Sequence, residues 1–311
     1  MNANGEESRR RKRLIRVISI AIAVSLVTIS MKTGAWLLTG SVGLLSDAIE
    51  SVVNLVAALV GLIVILWSTR PPDEDHAYGH EKADYVSAGF EGALILLAAL
   101  TIAYAAIDRL INPAGLSEVG IGLAISVLAS LINLGAAALL IRTGSEEQSM
   151  TLVADGRHLM TDVWTTAGVV VGVGLVWLTG WQTLDPLIAL VVAGNIVRTG
   201  VSLVRDSMSG LMDKGLPPGE IDAVNAVLAR YEDSGRVEFH ALRTRKAGRR
   251  SFITVHVLVP GEWSVQAGHD FAERVEEDLR QTAEPATVFT HLEPVEDPVS
   301  FEDTELDRTG R

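Results

Sequence analysis

Six apolar runs fill the first two thirds of the chain, at 15–38, 42–67, 88–111, 119–141, 152–178 and 186–204. Each reaches the roughly 20 residues that a helix needs to cross a bilayer. Two of the runs carry polar side chains at helical spacing: Glu50 and Asn54 in the second, His158 and Asp162 in the fifth. Residues four apart share a helix face, with Cβ atoms roughly 5–6 Å from one another. Two such pairs facing each other would make a four-ligand cage. An ionisable group at the bilayer centre costs about 3 kcal/mol even on the mildest scale, so the pattern points to an intramembrane metal site. The plainer alternative is a Glu50–His158 pair across the bundle. Asp47 lies on roughly the same face as Glu50 and Asn54, where it lines the approach or ligates in place of Asn54.

From about Met212 the pattern changes to polar, acidic sequence with short apolar runs. Helical apolar spacing at 221–231 is followed by strand-like alternation at 237–243 and 252–259, an amphipathic helix at 271–279 and a short strand at 287–292. The segment from Lys246 to Arg250 holds Gly248 and reads as a charged hairpin turn. The order αββαβ suggests a small two-layer α/β domain of the ferredoxin-like kind. The expected fold is therefore an α-helical membrane bundle of six transmembrane helices followed by a small cytoplasmic α/β domain. Its parts are a basic cytoplasmic N-terminus (1–13), the six-helix transmembrane domain (14–211), a cytoplasmic domain (212–296) and a flexible acidic tail (297–311).

Composition supports the division. Hydrophobic residues make up 48% of the 311, too many in the first two thirds for an ordinary soluble domain. The net charge is −12, and the segment from Met212 onward holds 12 Lys and Arg against 20 Asp and Glu. An acidic chain of this kind is not expected to bind nucleic acid. Arg9, Arg10, Arg11, Lys12 and Arg13 precede the first run, and Arg70, Lys82, Arg142 and Arg157 lie at the second and fourth connections. The other gaps, 39–41, 112–117 and 179–185, hold no Lys or Arg. The positive-inside rule then puts both termini in the cytoplasm. The first run is too long for a signal-peptide core and lacks a small-residue cleavage pattern. With no Cys, thiolate sites are excluded, leaving His, carboxylate and amide donors.

Two further groups carry metal-binding chemistry. Asp73, His76 and His80, between the second and third runs, have a spacing compatible with a small metal site; otherwise they form a solvated loop that caps a helix or meets lipid headgroups. In the tail, His240 and His256 fall on neighbouring expected strands, and His291 and Glu293 share one side of a third, since side chains alternate. His269 completes the set. Each of these histidines alone could be an ordinary hydrogen-bonding residue.

The order and spacing of the motifs resemble one family along nearly the whole chain. They are Lys32-x-x-x-Trp36, Thr39-Gly40-Ser41, Ser46-Asp47-Ala48-Ile49-Glu50-Ser51, Arg70-Pro71-Pro72-Asp73, His76-Ala77-Tyr78-Gly79-His80-Glu81-Lys82, Asp155-Gly156-Arg157-His158-x-x-x-Asp162, Asp185-Pro186, Leu211-Met212-Asp213 and His240-Ala241-Leu242-Arg243-Thr244-Arg245. This set is similar to the cation diffusion facilitators, proton-coupled exporters of divalent transition metals. The resemblance implies a transport site at Glu50, Asn54, His158 and Asp162, a loop site at Asp73, His76 and His80, and cytoplasmic metal sites among His240, His256, His269, His291 and Glu293 at a homodimer interface. It also implies a charge lock between Lys82 and Asp213. Asn54 departs from the pattern, because an amide oxygen can ligate but can neither carry charge nor release a proton.

The function expected is efflux of Zn²⁺, with Mn²⁺, Fe²⁺, Co²⁺ and Cd²⁺ as other substrates, in exchange for protons by alternating access. The metal would be both cargo and regulator of a multi-pass protein of the cell (inner) membrane, in contact with lipid. His158 is the expected proton carrier, because histidine titrates closest to cellular pH. A membrane-bound metal sensor or scaffold that no longer transports is the alternative that Asn54 keeps open. An enzyme is not expected, since no H-E-x-x-H motif or nucleophile with a paired base is present.

Overall fold

The computed structural model describes residues 3–39, 42–112, 119–179, 181, 183–233, 235–283 and 285–302, with backbone only at several helical positions. The tail beyond 302 lies outside the described residues, as do the side chains of Asp47 and Glu50. The chain forms two compact units, Met1–Met208 and Ser209–Arg311.

Among the described residues six long helices come first, the last of them running three residues past the first unit: α1 (Ala3–Thr39), α2 (Val42–Ser68), α3 (Ala83–Ile111), α4 (Val119–Glu146), α5 (Met150–Thr179) and α6 (Leu184–Leu211). Among the described residues, Glu7–Gly34, Ala83–Ile111 and Val127–Glu146 are long and apolar enough to cross a membrane, and Asn54–Ser68 is a shorter apolar helix. All six helices coincide with the apolar runs, while the full count of six spans rests on the sequence pattern.

Leu14, Ile18, Ala58, Ile65, Ala137, Leu140, Leu152 and Leu159 form one core among α1, α2, α4 and α5. Ala88, Ile95, Ala99, Ala154, Ile196 and Leu203 form another among α3, α5 and α6. In lipid, helices associate through close packing of small residues, because apolar surface gains nothing by leaving lipid for a neighbour. The α4–α5 pair follows this rule. A Cβ on Gly144 would stand 2.8 Å from Val153 N, and one on Gly156 would stand 3.0 Å from Ile141 N. Backbone cannot step aside as a side-chain tip does. Gly144→Val should therefore cost about 3 kcal/mol, the upper end for overpacking, and a lowered thermal midpoint in detergent checks it; an unchanged midpoint would show that the helices separate freely.

The basic N-terminus has a structural role as well. Arg10 Nε and Nη2 donate to Glu147 O at 3.1 and 2.9 Å, and Arg13 pairs with Glu146 and Glu147. The run read as a topology signal also ties α1 to the α4–α5 turn.

The second unit contains α7 (Pro218–Tyr231), β1 (Glu238–Ala247), β2 (Arg250–Val259), α8 (Val265–Arg280) and β3 (Ala286–Pro294), followed by a 3₁₀ turn at Pro298–Phe301. The order αββαβ is the one the pattern suggested. The sheet is mixed, in the order β1-β2-β3, antiparallel between β1 and β2 and parallel between β2 and β3. Gly248, at φ +59°, opens the two-residue turn between β1 and β2, a left-handed conformation that glycine adopts without steric cost. Parallel pairing needs a crossover, and α8 supplies it.

Ile253, Val255, Val257 and Val259 of β2 join Val224, Leu228, Phe271, Val275 and Leu279 in one core. Alternation then sends Thr254 and His256 to the face away from the helices. His240, His256 and His291 stand in register across that face, one from each strand.

Candidate metal centres

The intramembrane candidate is assembled where α2 meets α5. The Asn54 side chain donates through Nδ2 to Asp162 Oδ2. Asn54, His158 and Asp162 are all buried, exposing 2–3% of their surface. Among the described residues, Asn54 Oδ1 and His158 Nδ1 have no hydrogen-bond partner. A buried polar atom left unsatisfied costs about 1–3 kcal/mol, and a cation is a partner that would satisfy both atoms at once. The amide spends its N–H on the carboxylate and keeps its oxygen. Asp47 and Glu50, also expected here, are placed on α2 by their backbone, while their side chains lie outside the described residues.

The loop residues expected to ligate do come together. Asp73 reaches His76 Nδ1 through Oδ1 and His80 Nε2 through Oδ2, each at 3.2 Å. One potential ligand atom from each of the three lies within 4.8 Å of the others. The local chain explains it: Asp73 Oδ1 accepts from His76 N at 2.8 Å, His76 O accepts from Gly79 N at 2.8 Å, and Gly79 has φ +90°. This tight turn folds His80 back beside His76, with ring centroids 4.4 Å apart. Desolvation pushes the Asp73 carboxyl up, but bonds from the His76 backbone and ring, with the charges of His80 and His76, outweigh it and hold the group below its ordinary value. Asp73 thus stays anionic well into acid.

In the second unit, Glu293 is the hub. Its Oε2 lies 2.9 Å from His240 Nε2 and 3.0 Å from His256 Nδ1, and its Oε1 lies 3.5 Å from His291 Nε2. The register across three strands places the rings, and Glu293 follows His291 by two residues on the same face. A bulge between His240 and Arg243 turns β1 at this point, with Ala241 at φ +49°. A left-handed alanine costs about 1 kcal/mol; the bulge re-aims the His240 side chain into the cluster. His240, His256 and Glu293 bring one potential ligand atom each within 4.8 Å of one another; His291 stands outside that group, and His269 is exposed on α8.

Lys82 belongs to the first unit and Asp213 to the second, where the Asp213 carboxylate accepts from Arg245 Nη1 at 3.2 Å. Sequence reasoning passed over the buried carboxylates Asp84 and Glu91 of α3, and quoted Asp155 of α5 only as part of a motif. The signal was present in their spacing, since Asp84 and Glu91 are seven residues apart, as are Asp155 and Asp162.

Comparisons with known proteins agree along the chain. Residues 18–212 match the model of the cation efflux transmembrane domain, and residues 216–295 match that of the cation efflux protein cytoplasmic domain. A Synechocystis protein described as an uncharacterized transporter is 48% identical over 283 residues, covering 91% of each chain. The cation-efflux pump FieF of Salmonella arizonae is 28% identical over 279 residues, covering 90% of this chain and 92% of its own. The metal-bound C-terminal domain of the CzcD transporter from Thermotoga maritima is 26% identical, covers 25% of this chain and 91% of its own, and has a TM-score of 0.23.

Proposed function

Because this chain belongs to the cation diffusion facilitator family of cation efflux transporters, we propose that it exports a divalent metal ion in exchange for protons, with zinc as the principal cargo. The observation that carries this reading is the buried Asn54–His158–Asp162 group, with unsatisfied atoms on Asn54 and His158. One imidazole, one carboxylate and one amide oxygen, completed by Glu50 or Asp47, make the mixed nitrogen and oxygen set that suits tetrahedral Zn²⁺. The oxygen-rich balance also admits Mn²⁺, Fe²⁺, Co²⁺ and Cd²⁺.

Ligation requires deprotonated donors, so metal and protons compete for one site. Protons held by His158 and a carboxylate leave when metal binds from the cytoplasm and return when metal departs on the far side. An inward proton gradient then drives metal outward as the helices rock about the cluster. In this reading both termini are cytoplasmic and the protein lies in the inner membrane. The second unit, which matches the family's cytoplasmic domain, would pair two subunits, with the Glu293 cluster and the Asp73–His76–His80 loop as metal sensors and Lys82–Asp213 as a charge lock. A sensor or scaffold without transport is the second reading, favoured only by Asn54.

Uptake of Zn²⁺, Mn²⁺, Fe²⁺, Co²⁺ and Cd²⁺ into acid-loaded proteoliposomes separates the two, since a sensor gives no flux. Asn54→Asp adds a negative charge where dielectric screening is weak. It should raise divalent affinity while making neighbouring carboxyls harder to ionise, so the metal ranking and the pH profile should both move. If neither moves, Asn54 is no ligand and Asp47 takes its place.

A further inference from the structure

Buried polar groups continue along α5 beyond the cluster just described. Thr151, Asp155, His158 and Asp162 follow one another at intervals of four, three and four residues, which keeps them on one face. All four are buried. Thr151 Oγ1 donates to Asp84 Oδ1 of α3 at 3.2 Å, and Asp162 accepts from Asn54 of α2. Between these rungs lie Asp155 and Glu91, the latter on α3. Seven helical residues rise about 10.5 Å, so Asp155 stands two turns from Asp162, toward the α3 N-terminus and the loop that precedes it.

Glu91 is wholly buried, and Asp155 is 2% exposed. Ser87 Oγ donates to Glu91 Oε1 at 3.3 Å. Among the described residues, Glu91 Oε2 and Asp155 Oδ2 have no hydrogen-bond partner. Ala88 and Ile95, on either side of Glu91 along α3, share one core with Ala154, which adjoins Asp155 on α5. Two carboxylates buried in one helix interface in this way are costly unless a cation or a proton compensates their charge. Gly61 of α2 packs closely at the same place: a Cβ there would stand 3.1 Å from Thr151 Cγ2, 3.4 Å from Ile18 Cδ1 and 3.9 Å from Glu91 Oε1.

We propose that Glu91 and Asp155 form a second intramembrane cation site, a staging position for a divalent metal ion between the α2–α3 end of the bundle and the Asn54–His158–Asp162 cluster. The staging role rests on the reading of that cluster as the transport site. Its donors are all oxygens, two carboxylates with the Ser87 and Thr151 hydroxyls nearby. Such a set holds Mn²⁺ and other hard ions well and Zn²⁺ less tightly than a site with imidazole. A transition metal would therefore move from a weaker site to a tighter one two turns away.

Equilibrium dialysis of the purified full-length protein against Zn²⁺ and against Mn²⁺ at neutral pH tests this directly. Glu91→Gln with Asp155→Asn keeps the side-chain shapes and removes both charges. With an unchanged size-exclusion profile, the double variant should bind one metal ion fewer per protomer, and its zinc uptake in proteoliposomes should fall about tenfold or more. Asp162→Ala should lose a different ion, so that combining the changes loses two. A double variant that binds as many ions as the parent overturns the proposal and leaves the pair to share a proton. Loss of the same single ion in the double variant and in Asp162→Ala also overturns it, since there is then one site. If Asp162→Ala loses no ion while the double variant loses one, the second site stands and the assignment of the transport cluster falls.

Discussion

Asp162→Ala should reduce metal flux to the background of empty vesicles while the protein stays folded. Asp162 brings the carboxylate to a buried group whose other described donors, Asn54 and His158, are an amide and an imidazole. Without it, a divalent ion would leave water for two neutral donors and the residue completing the cage. Desolvating such an ion without charge compensation is far more costly than the fold's own stake in the position. That stake includes the bond from Asn54 Nδ2, and a stranded buried donor costs about 1–3 kcal/mol. Asp162→Asn separates the two contributions: it keeps the shape, loses the charge and should be equally inactive. Uptake in proteoliposomes at matched protein density is the check, and wild-type flux in either variant would remove Asp162 from the transport site.

Replacing His240 and His256 together by Ala should abolish most of the thermal stabilisation that zinc gives the second unit. That unit has its own core and is compact by itself, so the fragment 209–311 is a fair object of study. A ligand present at a hundred times its Kd stabilises by about 2.7 kcal/mol. At roughly 4–8 °C per kcal/mol for a domain of this size, zinc should raise the melting temperature by about 10–20 °C. The double variant leaves Glu293 with the exposed His291 as neighbouring donor, so its zinc shift should be small. Its metal-free midpoint should change little, because neither histidine belongs to the apolar core. In the full-length protein the double change should slow flux without ending it. A double variant with the parent's zinc shift would return these histidines to ordinary structural status.

Much of this architecture is legible in the pattern of apolar positions. Each of the six helices overlaps its run, because burial in lipid demands an unbroken apolar stretch that few other structures need. Helix ends are less legible than spans: α1 begins at Ala3 and α3 at Ala83, where charged residues continue the helix past its apolar part. This is why Asp84 escaped notice. With the third run placed at 88–111, Asp84 and Glu91 did not register as two members of one face. The αββαβ order was readable from alternation, and so was the pairing of His291 with Glu293. The bulge at Ala241 was not, since alanine carries no preference for a left-handed backbone. Likewise the Arg10 and Arg13 contacts with the α4–α5 turn depend on tertiary approach, which charge spacing does not encode.

The most direct test of the central claim is to measure metal and proton movement together in sealed proteoliposomes loaded at acid pH with a trapped pH indicator. Adding external zinc should produce zinc uptake with simultaneous alkalinisation of the lumen. Both signals should disappear in Asp162→Ala, and both should decline when the gradient is dissipated. Zinc uptake that proceeds at the same rate without any change in luminal pH, or that persists in Asp162→Ala, would contradict exchange at this site.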